Sequence, residues 1–217
     1  MQYYSTSSFK DKAAGELFYQ EWVSRLERAN TTTYERLEIE TGLGRTTVWG
    51  INTETTKQHT LIIFPGFRTS SLFWDFDNAL APLRETCRIY LVDTNGQPNL
   101  SDGNTPDIKS LDYGHWAAEV LDKLHIAKAH VAGASFGGLV CLKLAQVAPQ
   151  KVQQVLLLNP GCLAPFSLSL RNLYYNLLPI ISPSEKNVVK FLDTAVFCPP
   201  NHHLSPVAKE LIVEYEL

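Results

Sequence analysis

The stretch from Lys128 to Ala148 constrains this chain more than any other. It holds a short apolar run at 129–132, then Gly133-Ala134-Ser135-Phe136-Gly137-Gly138, then a Leu/Ala-rich segment that stops at Pro149. The middle portion fits G-x-S-x-G, with a predicted strand before it and a predicted helix after it. A serine on so abrupt a bend takes a strained backbone conformation. Its neighbours two places away must be small, because strand and helix pass close together there. The bend pushes the Ser135 hydroxyl out beyond the end of the sheet. The first N–H groups of the helix have no acceptor within it and stay free to receive negative charge. In 217 residues the bare pattern is expected by chance on the order of 0.1 times. The competing reading is an ordinary glycine-rich loop with a bystander serine.

The rest of the chain supplies a frame for that bend. Residues 13–29 have helical spacing, with Ala14, Leu17, Phe18, Trp22, Leu26 and Ala29 on the apolar stripe. Two strand-like stretches, 34–40 and 45–52, are joined by Thr41-Gly42-Leu43-Gly44 and read as an antiparallel hairpin. The pattern then loses its alternation. The run at 60–64 is continuously apolar, as suits a strand buried on both faces of a parallel sheet; 88–92 reads as a second buried strand and 152–158 as another apolar run. Between them lie a predicted helix over 72–83, a polar loop over 94–106 and an amphipathic helix carrying Tyr113, Trp116, Ala117, Val120, Leu121 and Leu124. This alternation predicts an α/β fold with a mostly parallel sheet flanked by helices. Ligands of such sheets sit beyond the carboxyl ends of the strands. Pro65-Gly66-Phe67, Asp93 and Ser135 all fall at that edge.

After Asn159-Pro160-Gly161 the character shifts to a stretch rich in Leu, Tyr and Phe and punctuated by Pro165, Pro179 and Pro183. Helix starts are read at Ser182-Pro183-Ser184-Glu185, with Ser182 as the cap, and at Ser205-Pro206. The second of these runs to Leu217 with no stop signal, so the chain reads as cut off.

Composition excludes some functions. The net charge of −3, with both signs mixed, predicts neither nucleic acid nor an anionic membrane as a partner. No apolar run approaches the length of a membrane span, and no secretory leader is visible, so a cytoplasmic location is expected. Cys87, Cys141, Cys162 and Cys198 lack C-x-x-C spacing and read as small buried hydrophobes.

On Pro65-Gly66-Phe67, Asp93 and Gly133-Ala134-Ser135-Phe136-Gly137, in that order, the sequence resembles the α/β-hydrolases over roughly residues 34–217. Within them it is most similar to the bacterial carboxylesterase-like branch, which also has a polar loop like 93–99 followed by a segment like Asp112-Tyr113-Gly114-His115-Trp116. The resemblance implies an eight-stranded sheet with a helical cap after the sixth strand. Residues 1–162 would then be the hydrolase core with strands 1–6, and residues 163–217 the beginning of the cap or lid. It implies Ser135 as nucleophile, the backbone N–H groups of Phe67 and Phe136 as oxyanion hole, a small-molecule ester-like substrate, and no cofactor or metal. Where the family often has His-Gly, this chain has Pro65-Gly66, a change that leaves the backbone donor in place.

The family's acid and histidine follow strands seven and eight, and nothing here matches them. A serine hydroxyl needs a base in contact to lose its proton. The chain alone is therefore expected to be nearly inactive, the missing groups lying beyond residue 217. None of His59, His115, His125, His130, His202 or His203 is assigned to catalysis. Asp93 reads either as an orienting carboxylate near the site or as a turn residue bonding nearby N–H groups. Phe67, Phe73, Trp74, Phe166, Tyr174 and Tyr175 are candidates to line an acyl pocket or to pack the core. Two other classes stay open: a catalytically dead, ligand-binding hydrolase fold, and self-assembly through the sheet edge after the sixth strand.

Overall fold

A computed structural model describes residues 9–161, 163, 169–197 and 204–217. Six strands form one sheet: β1 (Glu35–Thr41), β2 (Gly44–Ile51), β3 (His59–Phe64), β4 (Cys87–Val92), β5 (Ala129–Ala134) and β6 (Val152–Leu158), in the order β1-β2-β4-β3-β5-β6. β2 runs antiparallel to both β1 and β4, and the pairs β3–β4, β3–β5 and β5–β6 are parallel. The expected mostly parallel α/β architecture is the one observed.

Each face of the sheet has its own apolar layer. On one face α2 (Asp112–Lys123) and α3 (Phe136–Val147) cover Ile62, Phe64, Val92 and Val131. On the other, α1 (Lys12–Asn30), the turn Ser71–Asn78, α5 (Glu185–Phe191) and α6 (Pro206–Glu216) close over Trp49, Ile63, Ile89 and Leu91. Trp22 of α1 donates its indole N–H to the Leu211 carbonyl at 2.8 Å, and Arg25 pairs with Glu210 and Glu214. α6 is thus fastened to α1 across the chain's two ends.

Several local expectations are corrected. The buried stripe of α1 is Gly15, Tyr19, Trp22, Val23, Leu26 and Asn30, while Leu17 is 69% exposed and Ala14 and Ala29 face solvent. Both stripes have helical spacing. The polar members Tyr19 and Asn30 face inward because they have buried hydrogen-bond partners, which hydrophobicity alone does not reveal. Residues 72–83 form no continuous helix but two 3₁₀ segments, Ser71–Asn78 and Ala81–Leu83. Asp75 breaks it. Its carboxylate accepts from Tyr34, from Arg84 and from the Leu80 N–H, and Asp77 and Asn78 take left-handed conformations that Asp and Asn tolerate.

Further along, the cap of α5 is Ser184, whose hydroxyl accepts the Asn187 N–H; Ser182 lies outside the helix. The Ser205-Pro206 start is where α6 begins. A further helix, α4 (Leu170–Ile181), carries Pro179 in its last turn and was hidden by that proline. β6 forms one end of the strand order, and its apolar run is only half buried: Leu156 is 57% and Leu158 46% exposed.

Candidate active site

Ser135 stands between the end of β5 and the start of α3 with φ 49° and ψ −111°, a strained conformation for a residue with a side chain. Its backbone is fully engaged. The Ser135 N–H donates to the Leu158 carbonyl at 3.0 Å, and the Ser135 carbonyl accepts from Gly138 and Gly161, each at 3.1 Å. Glycine is required on both sides. A Cβ on Gly137 would overlap the Phe64 carbonyl, and one on Gly133 would overlap the Gly137 backbone. Close packing of β3, β5 and α3 therefore fixes the bend. By contrast, among the described residues the Ser135 hydroxyl has no hydrogen-bond partner.

That side chain faces a cavity of about 1150 Å³. Gly66, Phe67 and Thr69 form its wall beside the serine, and α4 contributes Leu173, Leu177 and Ile180 to another. A Cβ on Gly66 would come to 3.9 Å from the Ser135 Cβ, so the turn after β3 lies against the serine. The rings of Phe67 and Phe136 meet edge to face at 6.0 Å. Among the described residues neither the Phe67 nor the Phe136 N–H has an acceptor. Gly161 is a neighbour that the sequence reading passed over: a Cβ there would lie 3.7 Å from the Ser135 hydroxyl oxygen. Its signal was the Asn-Pro-Gly at the end of the sixth apolar run.

Charge enters the cavity through Arg68 and Glu216, whose Nη2 and Oε2 are 3.8 Å apart. Burial pushes the Glu216 carboxyl above the usual carboxylate range, and Arg68 partly offsets this. The third charged lining residue, Asp77, accepts the Ser205 N–H at 2.7 Å.

Of the aromatic candidates, Phe67, Phe73 and Trp74 line the cavity, Tyr174 and Tyr175 do not, and Phe166 lies outside the described residues. Asp93 fits neither reading in full. It is completely buried away from the cavity. It accepts from Tyr19 and Trp49 on one oxygen, at 2.7 and 2.9 Å, and from the hydroxyl and N–H of Ser71 on the other, both at 2.8 Å. Burial still pushes its pKa up, against the pull of those donors.

The histidines are dispersed. His59 and His130 stack edge to face, 5.2 Å apart, with His59 the first residue of β3. His115 and His125 are exposed on and just after α2, and His202 and His203 lie outside the described residues. Cys87 and Cys141 are buried free thiols; Cys162 and Cys198 fall outside the described residues. Among the described residues no group of three or more His, Cys, Asp or Glu side chains could hold a metal ion, and no helix is long and apolar enough to cross a membrane.

Comparison with known proteins shows the family. The family model for the alpha/beta hydrolase fold matches residues 59–178. An uncharacterised carboxylesterase (nap) of Bacillus subtilis is 32% identical over 101 residues, covering 46% of this chain and 33% of that protein. A hydrolase of 2-hydroxy-6-oxononadienedioate and 2-hydroxy-6-oxononatrienedioate from a Pseudomonas species is 29% identical over 136 residues, covering 58% of this chain and 43% of that protein. These matches span less than half of either relative's length. Among solved structures, the naproxen esterase of B. subtilis superposes with a TM-score of 0.73 at 24% identity, covering 96% of this chain and 68% of that one. The carboxylesterase CesB (YbfK) of the same organism gives 0.74 at 20% identity, with 94% and 68% covered. The chain belongs to the alpha/beta hydrolase fold family.

Proposed function

We propose that this chain carries the nucleophile and oxyanion hole of a serine hydrolase acting on carboxylic esters. The observation that carries the reading is Ser135: its backbone is saturated, its hydroxyl has no partner among the described residues, and it faces a large apolar cavity. In this reading Ser135 Oγ attacks the ester carbonyl carbon and the carbonyl oxygen takes up negative charge. The Phe67 and Phe136 N–H groups receive that charge. The alcohol leaves with a proton as the C–O bond breaks, and water later releases the acid from Ser135. The apolar lining suits a bulky acyl or alcohol group. The carboxylesterase relatives support the ester as substrate.

The serine's proton needs an acceptor, and no described histidine stands beside it. We assign that acceptor, with its orienting acid, to residues outside those described. Losing a triad member typically leaves only about 10³–10⁴-fold catalysis over water, so turnover depends on that acceptor reaching Ser135. Residues 163–217 would act as the lid over the cavity, since α4 lines it.

A fluorophosphonate probe tests the reading. Labelling of the chain that disappears in Ser135→Ala is the expected result, however slow. Labelling that persists in the variant removes Ser135 from the chemistry. A chain that resists the probe altogether points to the catalytically dead, ligand-binding alternative.

A further inference from the structure

We propose that Thr69 and Gln97 are positioning residues that aim the Phe67 N–H at Ser135; the inference rests on the ester-hydrolase reading above. Phe67 donates from the peptide that links it to Gly66, and in a trans peptide the C=O and N–H are rigidly opposed. Whatever fixes the Gly66 carbonyl therefore fixes the direction of the Phe67 N–H. The Thr69 hydroxyl does so, donating to the Gly66 carbonyl at 3.0 Å. The next peptide is held from behind, where the Arg68 N–H donates to Gln97 Oε1 at 2.8 Å. Arg68 needs that partner. Its φ of 61° is left-handed and uncommon for a residue with a side chain, and such a conformation persists only where its surroundings over-determine it.

Gln97 is itself immobilised. It is 2% exposed, its N–H donates to the Thr94 carbonyl at 3.3 Å, and its carbonyl accepts from Asn99 at 2.8 Å. The loop around it is tied down by Gly96 N–H to the Asp102 carbonyl, by Asn99 to the Thr94 carbonyl and by Ser101 Oγ to the Asp93 carbonyl. Tyr215 of α6 closes on the Pro98 carbonyl from outside. The polar loop that the sequence singled out after β4 thus has a use. It is a rigid bracket behind the turn that carries the oxyanion donor, and side-chain hydrogen bonds at such a site matter through the geometry they impose.

Two measurements on the full chain test this. The first is the ¹⁵N–¹H residual dipolar coupling of Phe67, which reports the direction of that N–H and is independent of any chemistry at Ser135. Thr69→Val and Gln97→Met, both close in volume to the native residue, are expected to change it, while Thr69→Ser keeps it and Phe64 stays constant as a core reference. An unchanged Phe67 coupling in both variants overturns the proposal. The second is Ser135 acylation by a 4-nitrophenyl ester, followed by intact mass. Thr69→Val is expected to lower the rate constant about 10-fold without moving the half-saturating ester concentration, a fraction of the 10²–10³-fold lost with a whole oxyanion donor. Thr69→Ser is expected to restore it. A change in half-saturation with the rate constant intact would make Thr69 a substrate contact and overturn its positioning role. Acylation that survives Ser135→Ala would sink the ester-hydrolase reading instead, whatever the couplings show.

Discussion

Asp93 and Ser135 follow β4 and β5, the two strands that flank β3, and both are polar groups at the sheet edge where ligands of such sheets bind, yet they have opposite fates. Asp93 follows β4, is wholly buried, and has each oxygen filled by donors from α1, β2 and the turn after β3. Ser135 follows β5, has every backbone group paired, and has a hydroxyl with no described partner. Position at the edge does not distinguish structure from chemistry. Saturation does: a filled carboxylate organises the fold around itself, whereas a free hydroxyl at a cavity wall is available to react.

Ser135→Ala should separate the two roles most sharply. Acylation by an activated ester is expected to fall by at least about 10³-fold. Because the hydroxyl has no partner to lose, stability in a urea titration should stay within about 0.5 kcal/mol. A large loss of stability would mean the hydroxyl is structural after all. Asp93→Ala should do the reverse, destabilising by about 3–5 kcal/mol, since the Trp49 and Ser71 N–H groups are left as buried, unpaired donors and Tyr19 keeps only Ser70. Near-native stability in that variant would erase the distinction.

Gly137→Ala tests the bend on its own. The added Cβ meets the backbone carbonyls of Phe64 and Pro65 at the end of β3, which cannot rotate away, so a loss of about 2–3 kcal/mol by chemical denaturation is expected. A tolerated alanine would show the elbow to be looser than its packing suggests.

The smallest effect concerns Cys141, a second potential nucleophile on the helix that Ser135 opens. Burial pushes its thiol from 9.0 up to about 12, so it should ignore thiol reagents at pH 8 in the folded state. The folded state holds this proton more tightly than the unfolded chain does. Its contribution is complete below pH 9 and lost as pH rises from there toward about 12. By pH 10 the loss should be on the order of 1 kcal/mol, and Cys141→Ala should flatten that part of the profile. An unchanged alkaline slope in the variant would show that the thiol is not what titrates.

Local signals were legible where chemistry and backbone constraint coincide. The G-x-S-x-G bend, the parallel strands and the Ser205-Pro206 helix start each follow from a few adjacent residues. The reading failed where a distant partner decided the outcome. Nothing near Asp75 in sequence announces that Tyr34 and Arg84 will converge on it and break the helix expected over 72–83. Tyr19 faces inward because Asp93 waits for it, and Leu17 stays outside although it is the more apolar of the two. β6 ends in an apolar run, Val155 to Leu158, much as β3 does in Leu61 to Phe64, yet of the two only β3 has strands on both sides.

What the sequence determined by itself was the bend, because glycine spacing and the switch from strand to helix act within a few residues and admit few backbone solutions. Only the tertiary structure decided which polar groups would be filled and which left open. Hydrogen bonds between groups far apart in the chain depend on where the sheet and helices bring them, and that placement is a property of the packed whole.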